Sequence, residues 1–227
     1  MRGQGEIEAP GTEPLGIELL GAEPIDNRIF VLVLQHPQER KETLATAATT
    51  CTMLHRAALV VGLSWPNLGR ALGRHADARR WAVLYLGSTR PAAFGSEREV
   101  IALGRGGMPV ADQDAALADL EGIVLLDGSW GEAKTLWWRN PWLLKLRRVV
   151  LNPRRRSRFG QLRREPRAAA LSTIEAVALL LKHLDASAGF ESALLDRLDR
   201  LIVEARRARR PSLRAPTDPT SARIGHG

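Results

Sequence analysis

The residues best placed to do chemistry are Asp127, Gly128, Ser129 and Trp130. They follow an apolar run, Ile123 to Leu126, that reads as a short buried strand. A carboxylate at the tip of such a strand must face a ligand, a partner or water, because burying it unpaired is costly. In α/β proteins that tip opens onto the crevice where ligands bind, and a carboxylate there could act as a general base. The local alternative is a strand-to-helix turn in which Asp127 or Ser129 caps the next helix. Trp130 could stack on a base or anchor that helix to the sheet.

Three other segments bring suitable groups to the ends of elements. Leu171-Ser172-Thr173-Ile174-Glu175 opens an apolar helix with a capping-box pattern. A helix N-terminus also offers backbone N–H groups and partial positive charge, which suit a carboxylate or phosphate. Gly87-Ser88-Thr89 ends an apolar strand with small residues that allow close approach. His36-Pro37-Gln38-Glu39 ends another; it is either a structural turn or part of a binding wall, with Lys41 a candidate phosphate contact.

The elements that must position these groups follow from periodicity. Strands are expected at Arg28–Gln35, Trp81–Gly87, Gly122–Leu126 and Val149–Leu151. Helices are expected at Thr43–Val60, Asp112–Leu120, Trp130–Arg139, Leu171–Leu184 and Phe190–Arg207, the fourth strongly apolar and the fifth amphipathic. Strands alternating with helices imply a mostly parallel sheet flanked by helices. Residues 1–27 read as an irregular arm, 28–207 as the α/β domain and 208–227 as a disordered basic tail. Gly104-Arg105-Gly106-Gly107 follows no strong strand and reads as a flexible loop, and no GxGxxG fingerprint is present. Of Trp137, Trp138 and Trp142, two are expected in packing.

Charge points to a polyanion. The net charge is +8, yet Lys134 to Arg167 alone holds twelve Lys/Arg against one acid, Glu165. Arg154, Arg155, Arg156, Arg158, Arg163, Arg164 and Arg167 are the expected phosphate contacts, which position RNA without reading it. The competing reading is a solvated surface of an arginine-rich protein. One cysteine, Cys51, excludes an internal disulfide and a multi-cysteine zinc site, and in its helical pattern it reads as a packed side chain. No apolar run is long enough to span a membrane, and Met1–Pro24 has no basic-then-apolar leader, so a cytoplasmic protein is expected.

In order, His36-Pro37-Gln38-Glu39, Asp127-Gly128-Ser129-Trp130 and Ser172-Thr173-Ile174-Glu175-Ala176 resemble the DTW-domain family. Its members carry His-Pro-x-Glu, Asp-x-Thr/Ser-Trp and Ser-Thr-x-Glu-Ala; Ser129 stands where many have Thr. The resemblance spans roughly Arg28 to Leu184. It implies an α/β fold with a Rossmann-like sheet, SPOUT-related, with a C-terminal knot. It also implies transfer of the 3-amino-3-carboxypropyl group from S-adenosylmethionine to a uridine in tRNA, or in ribosomal RNA for one relative. Asp127 would then be catalytic. Gly87, Ser88, Leu126, Gly128, Ser129, Trp130, Leu171, Ser172 and Thr173 would hold the co-substrate. The basic segment, His36, Glu39 and Lys41 would face the RNA. Many members begin with a cysteine-rich segment that this chain lacks, so no metal is expected. The alternatives are a SPOUT-type RNA methyltransferase and a non-catalytic RNA-binding protein. Oligomeric state is left open.

Overall fold

A computed structural model describes residues 23–41, 46–85, 97–155, 157–158, 171–185 and 189–208. Its centre is a six-stranded sheet built from β1 (Phe30–Gln35), β2 (Ala57–Val61), β3 (Trp81–Leu84), β4 (Val100–Leu103), β5 (Gly122–Asp127) and β6 (Arg147–Leu151). The spatial order is β2-β1-β5-β3-β6-β4, parallel throughout except for β4, which runs antiparallel to β6. The helices are α1 (Thr46–Thr52), α2 (Leu68–Leu72), α3 (Gln113–Ala118), α4 (Trp130–Arg139), α5 (Thr173–Leu184) and α6 (Phe190–Ala208).

The continuous apolar runs of β1 and β5 follow from burial on both faces. Val31, Val33, Ile123 and Leu125 pack under α1, α5 and α6. Leu32, Leu34 and Val124 pack on the other face against α2, Trp137 of α4 and the 3₁₀ turn Pro141–Lys145. The result is the three-layer α/β arrangement that the alternating pattern implies.

The ends of α4 and α5 obey local rules. Ser129 and Ser172 are their N-caps, and α4 stops at Asn140-Pro141. The expected helix Thr43–Val60 is corrected: α1 ends at Thr52 and the chain turns into β2, which pairs with β1 from Val31↔Ala57 to Gln35↔Val61. Leu54 and Ala58 mimic a helical stripe, but α1 is threonine-rich. Thr50 Oγ1 donates to Thr46 O (2.6 Å) and Thr52 Oγ1 to Thr49 O (2.9 Å), bonds that weaken a helix interior. Residues just before β1 then catch the turning chain: His55 N–H donates to Ile25 O (2.9 Å) and Arg56 N–H to Asn27 Oδ1 (2.9 Å).

Two further elements are absent from the sequence expectations, the five-residue α2 and the four-residue β4. The glycine-rich segment Gly104–Gly107 therefore does follow a strand. It forms a tight turn, Gly107 N–H donating to Gly104 O (3.0 Å), before Pro109 bridges back to Leu103. Gln113 covers part of the β4 edge, accepting from Ala102 N–H (2.7 Å) and donating to Ala102 O (3.0 Å). Among the described residues, no helix is long and apolar enough to cross a membrane.

Candidate active site

β1 and β5 are neighbours, but the chain leaves them in opposite directions. From β1 it runs outward through α1 on one face to β2; from β5 it runs through α4 on the other face, past β3, to β6. A crevice opens at the carboxyl ends of two strands whose connections part in this way. The last residues in register there are Gln35 and Asp127.

Asp127 is 8% exposed, and both carboxylate oxygens accept hydrogen bonds. Gln35 Nε2 donates to Oδ2 (2.8 Å), and the Thr173 hydroxyl, at the first turn of α5, donates to Oδ1. Asp127 therefore does not cap α4, which Ser129 does. It joins β1, β5 and α5, elements far apart in sequence. The ladder runs one step further, His36 N–H donating to Asp127 O (3.0 Å).

The turn after Asp127 needs glycine. Gly128 has φ +152°, and a Cβ there would lie 2.9 Å from Glu132 Cβ and 3.4 Å from His36 Cβ. Glu132 reaches back to accept from Ser129 N–H (2.6 Å), and its other oxygen lies 3.5 Å from His36 Nδ1. The His36 side chain is only 12% exposed, so it leans on α4 more than it faces outward. Glu39 sits in the following 3₁₀ turn, Pro37–Lys41, which Lys41 closes.

Leu126, Gly128, Trp130, Leu171, Ser172 and Thr173 are half-buried around this crevice, and Ser129 is exposed at its edge. Trp130 carries the Lys134 ammonium 5.5 Å from its ring centre. Ser172 is less available than expected, because its hydroxyl donates to Glu175 Oε2 (2.7 Å). Glu175 is buried, and it also accepts from Ser172 N–H (2.9 Å), Ser157 Oγ (2.8 Å) and Arg158 N–H (2.7 Å). The start of the basic connection is thereby fastened to the first turn of α5.

The described arginines of that connection differ in freedom. Arg158 pairs with Asp199 at 2.6 Å and Arg154 donates to Glu97 O at 2.5 Å, whereas Arg155 is exposed. Gly87, Ser88, Arg156, Arg163, Arg164 and Arg167 lie outside the described residues. Gln35 and Glu132 are the contributors that the sequence expectations omit; Glu175 is expected only as the capping-box partner of Ser172, not as the anchor of Ser157 and Arg158. A glutamine ending an apolar strand, and Ser129-x-x-Glu132 repeating the Ser172-x-x-Glu175 spacing, were signals able to reveal the first two.

Cys51 of α1 behaves as a packed residue. Burial, then the nearby Asp127 charge, push its thiol up to about 12, so it is a neutral thiol near pH 7 and a poor nucleophile. Among the described residues, no group of three or more His, Cys, Asp or Glu side chains could hold a metal ion.

The DTW domain family matches residues 21–205 of the chain. The chain is 30% identical over 157 residues to tRNA-uridine aminocarboxypropyltransferase 2 of Drosophila melanogaster. That alignment covers 68% of this chain and 56% of the relative, so the chain spans little more than half of that protein's length. No solved structure matches.

Proposed function

The chain belongs to the DTW-domain family, and from that premise we propose that it transfers the 3-amino-3-carboxypropyl group of S-adenosylmethionine to a uridine in tRNA. The observation that carries this reading is the position of Asp127-Gly128-Ser129-Trp130. Among the described residues, the motif stands where the connections leaving β1 and β5 part, and segments of all three family motifs meet there.

The residues present suit a sulfonium donor. The Asp127 and Glu132 carboxylates give the crevice negative charge opposite a cationic sulfur. Half-buried Leu126, Trp130 and Leu171 supply apolar wall, and Gly128 leaves the backbone bare. When bound, S-adenosylmethionine supplies an electrophilic carbon: its bond to sulfur breaks as the bond to uridine N3 forms, and methylthioadenosine leaves. Leu126, Gly128, Ser129, Trp130, Leu171, Ser172 and Thr173, with Gly87 and Ser88, are the residues we assign to holding it.

Uridine N3 is a poor nucleophile while it keeps its proton. We assign that proton to Asp127. Gln35 and Thr173 hold the carboxylate in one orientation, and each oxygen keeps a second lone pair. His36, Glu39 and Lys41 would lie on the RNA side, with Arg155 and its neighbours on phosphates. For Arg154 and Arg158 this means exchanging Glu97 O and Asp199 for a phosphate. The SPOUT relationship and the C-terminal knot belong to the same reading.

The test is nucleoside mass spectrometry of unmodified tRNA after incubation with protein and S-adenosylmethionine. Aminocarboxypropyluridine and methylthioadenosine should appear together. Methylated nucleoside with S-adenosylhomocysteine would replace this reading by methyl transfer. Bound but unchanged tRNA would leave a non-catalytic RNA-binding protein.

A further inference from the structure

α4 rises directly from the crevice, and its outward side is chemically unusual. Trp138 is 78% exposed, more than any other described large apolar side chain. Trp130, Lys134 and Trp138 are spaced i, i+4, i+8, so they form one ridge about 12 Å long. The inward side is Ala133 and Leu136, both buried. The single acid of the helix, Glu132, is turned to Ser129 N–H and His36. Arg139 and Lys145, which follow in the chain, are exposed. Among the described residues, none of Lys134, Arg139 and Lys145 pairs with a carboxylate, whereas Arg80, Arg98, Arg147, Arg158 and Lys182 all do.

A bare indole leaves a large apolar face in water. Cations interleaved with aromatics, without acids, are the composition of a single-stranded nucleic-acid platform: charge tracks the backbone and rings stack on bases. We propose that the outer part of this ridge, Lys134 and Trp138, with Arg139 and Lys145, is a stacking platform for unpaired nucleotides of the RNA substrate. It would lead those flanking the target base away from the crevice. The proposal rests on the functional reading only in taking RNA as the substrate. It differs from the Arg154–Arg167 segment in recognising unpaired bases as well as phosphates.

The test compares full-length protein with its Trp138→Ala, Trp138→Phe and Lys134→Gln variants. Each is titrated with unmodified tRNA, a 20-nucleotide oligouridylate and a blunt RNA duplex. Trp138→Ala should weaken tRNA and oligouridylate binding about five- to a hundredfold, the range of one lost base stack, and leave duplex binding unchanged. Trp138→Phe should retain most of the affinity, because a ring remains. Lys134→Gln should shallow the salt dependence for the oligonucleotide by about 0.7 in log–log slope. The exposed position of Trp138 makes misfolding a small concern, and a melting curve checks it.

Unchanged tRNA and oligouridylate affinity in Trp138→Ala would overturn the proposal, as would an equal loss on duplex. Self-association abolished by Trp138→Ala, with RNA affinity untouched, would assign the face to a second copy and also overturn it. If no group is transferred but Trp138→Ala still loses oligonucleotide binding, the functional reading fails and the platform stands. If transfer occurs and Trp138→Ala binds normally, the platform fails and the functional reading stands. A protein that binds no RNA overturns both.

Discussion

Two helices begin at the crevice with the same pattern, Ser-x-x-Glu, and the two glutamates end in different surroundings. At α4, Glu132 accepts from Ser129 N–H and sits beside His36, with 17% of its side chain exposed. At α5, Glu175 is 6% exposed and accepts from four donors, two of them on the chain arriving from β6. The local pattern accounts for the helix start in both cases. It says nothing of the second duty, which depends on what segment the fold returns to that carboxylate. The α4 box is a cap with a histidine beside it, and the α5 box is also a tertiary fastening.

Asp127 lies between the two boxes and gives the largest expected effect. Asp127→Asn should reduce single-turnover transfer about a hundred- to ten-thousandfold while tRNA affinity changes little. Retention of more than roughly a tenth of the wild-type rate in a folded variant would remove it as the base, on the same scale. Thr173→Val, which deletes the α5 donor alone, should cost about tenfold in rate, the equivalent of one hydrogen bond, with co-substrate affinity less affected.

Stability then separates the boxes. Glu175→Ala should lower unfolding free energy by about 3 kcal/mol in urea titrations, because it leaves several buried donors unpaired. It should also speed amide exchange at Ser157 and Arg158. Glu132→Ala should cost about 1 kcal/mol, the value of a cap, and leave exchange at Ser157 unchanged. Equal losses in the two variants would erase the distinction.

Glu99, near the far end of α5, sets the smallest effect. Burial opposes its ionisation, but hydrogen bonds from His183, the Arg154 N–H and Lys182 outweigh it and hold its carboxyl below the usual 4.5. A depressed carboxylate stabilises the fold above its unfolded pKa and stops doing so as pH falls through its folded value. Lys182 is largely solvent-screened, so Glu99→Gln should cost only about 0.5–1 kcal/mol near neutral pH. That difference should shrink as pH drops below about 4.5; a gap independent of pH would remove the ionic explanation.

What could be read in the sequence was what nearest neighbours decide. The apolar run of β5, the caps of α4 and α5 and the Asn140-Pro141 stop all follow from residues a few places apart. β2 was hidden because Leu54 and Ala58 continue a helical stripe, and only pairing with β1 makes Ala57–Val61 a strand. β4 was hidden because four residues carry no period, and its partner β6 lies far along the chain. Asp127 was legible as a candidate for chemistry from its place after a buried strand. Gln35 was legible as a polar residue ending an apolar strand, but its meeting with Asp127 was not, because that depends on strand order. Charge shows the same limit: Arg158 belongs to a basic run in sequence, but in space it faces Asp199.

The strand order also bears on the birth of the protein. β1 is bordered by β2, which follows it promptly, and by β5, whose Asp127 is 92 residues beyond Gln35. At about 5–20 residues per second of synthesis, β1 waits roughly 5 to 20 seconds for that neighbour. During that interval its second ladder edge, with Val31 and Val33, can only be shielded by other means. Thr173 emerges later still, 46 residues after Asp127, and the Asp185 side chain that accepts from the Arg28 and Ile29 N–H groups comes after it. The crevice is therefore among the last parts of the molecule to close on the ribosome. A nascent chain halted before α5 would carry the motif without its clasp.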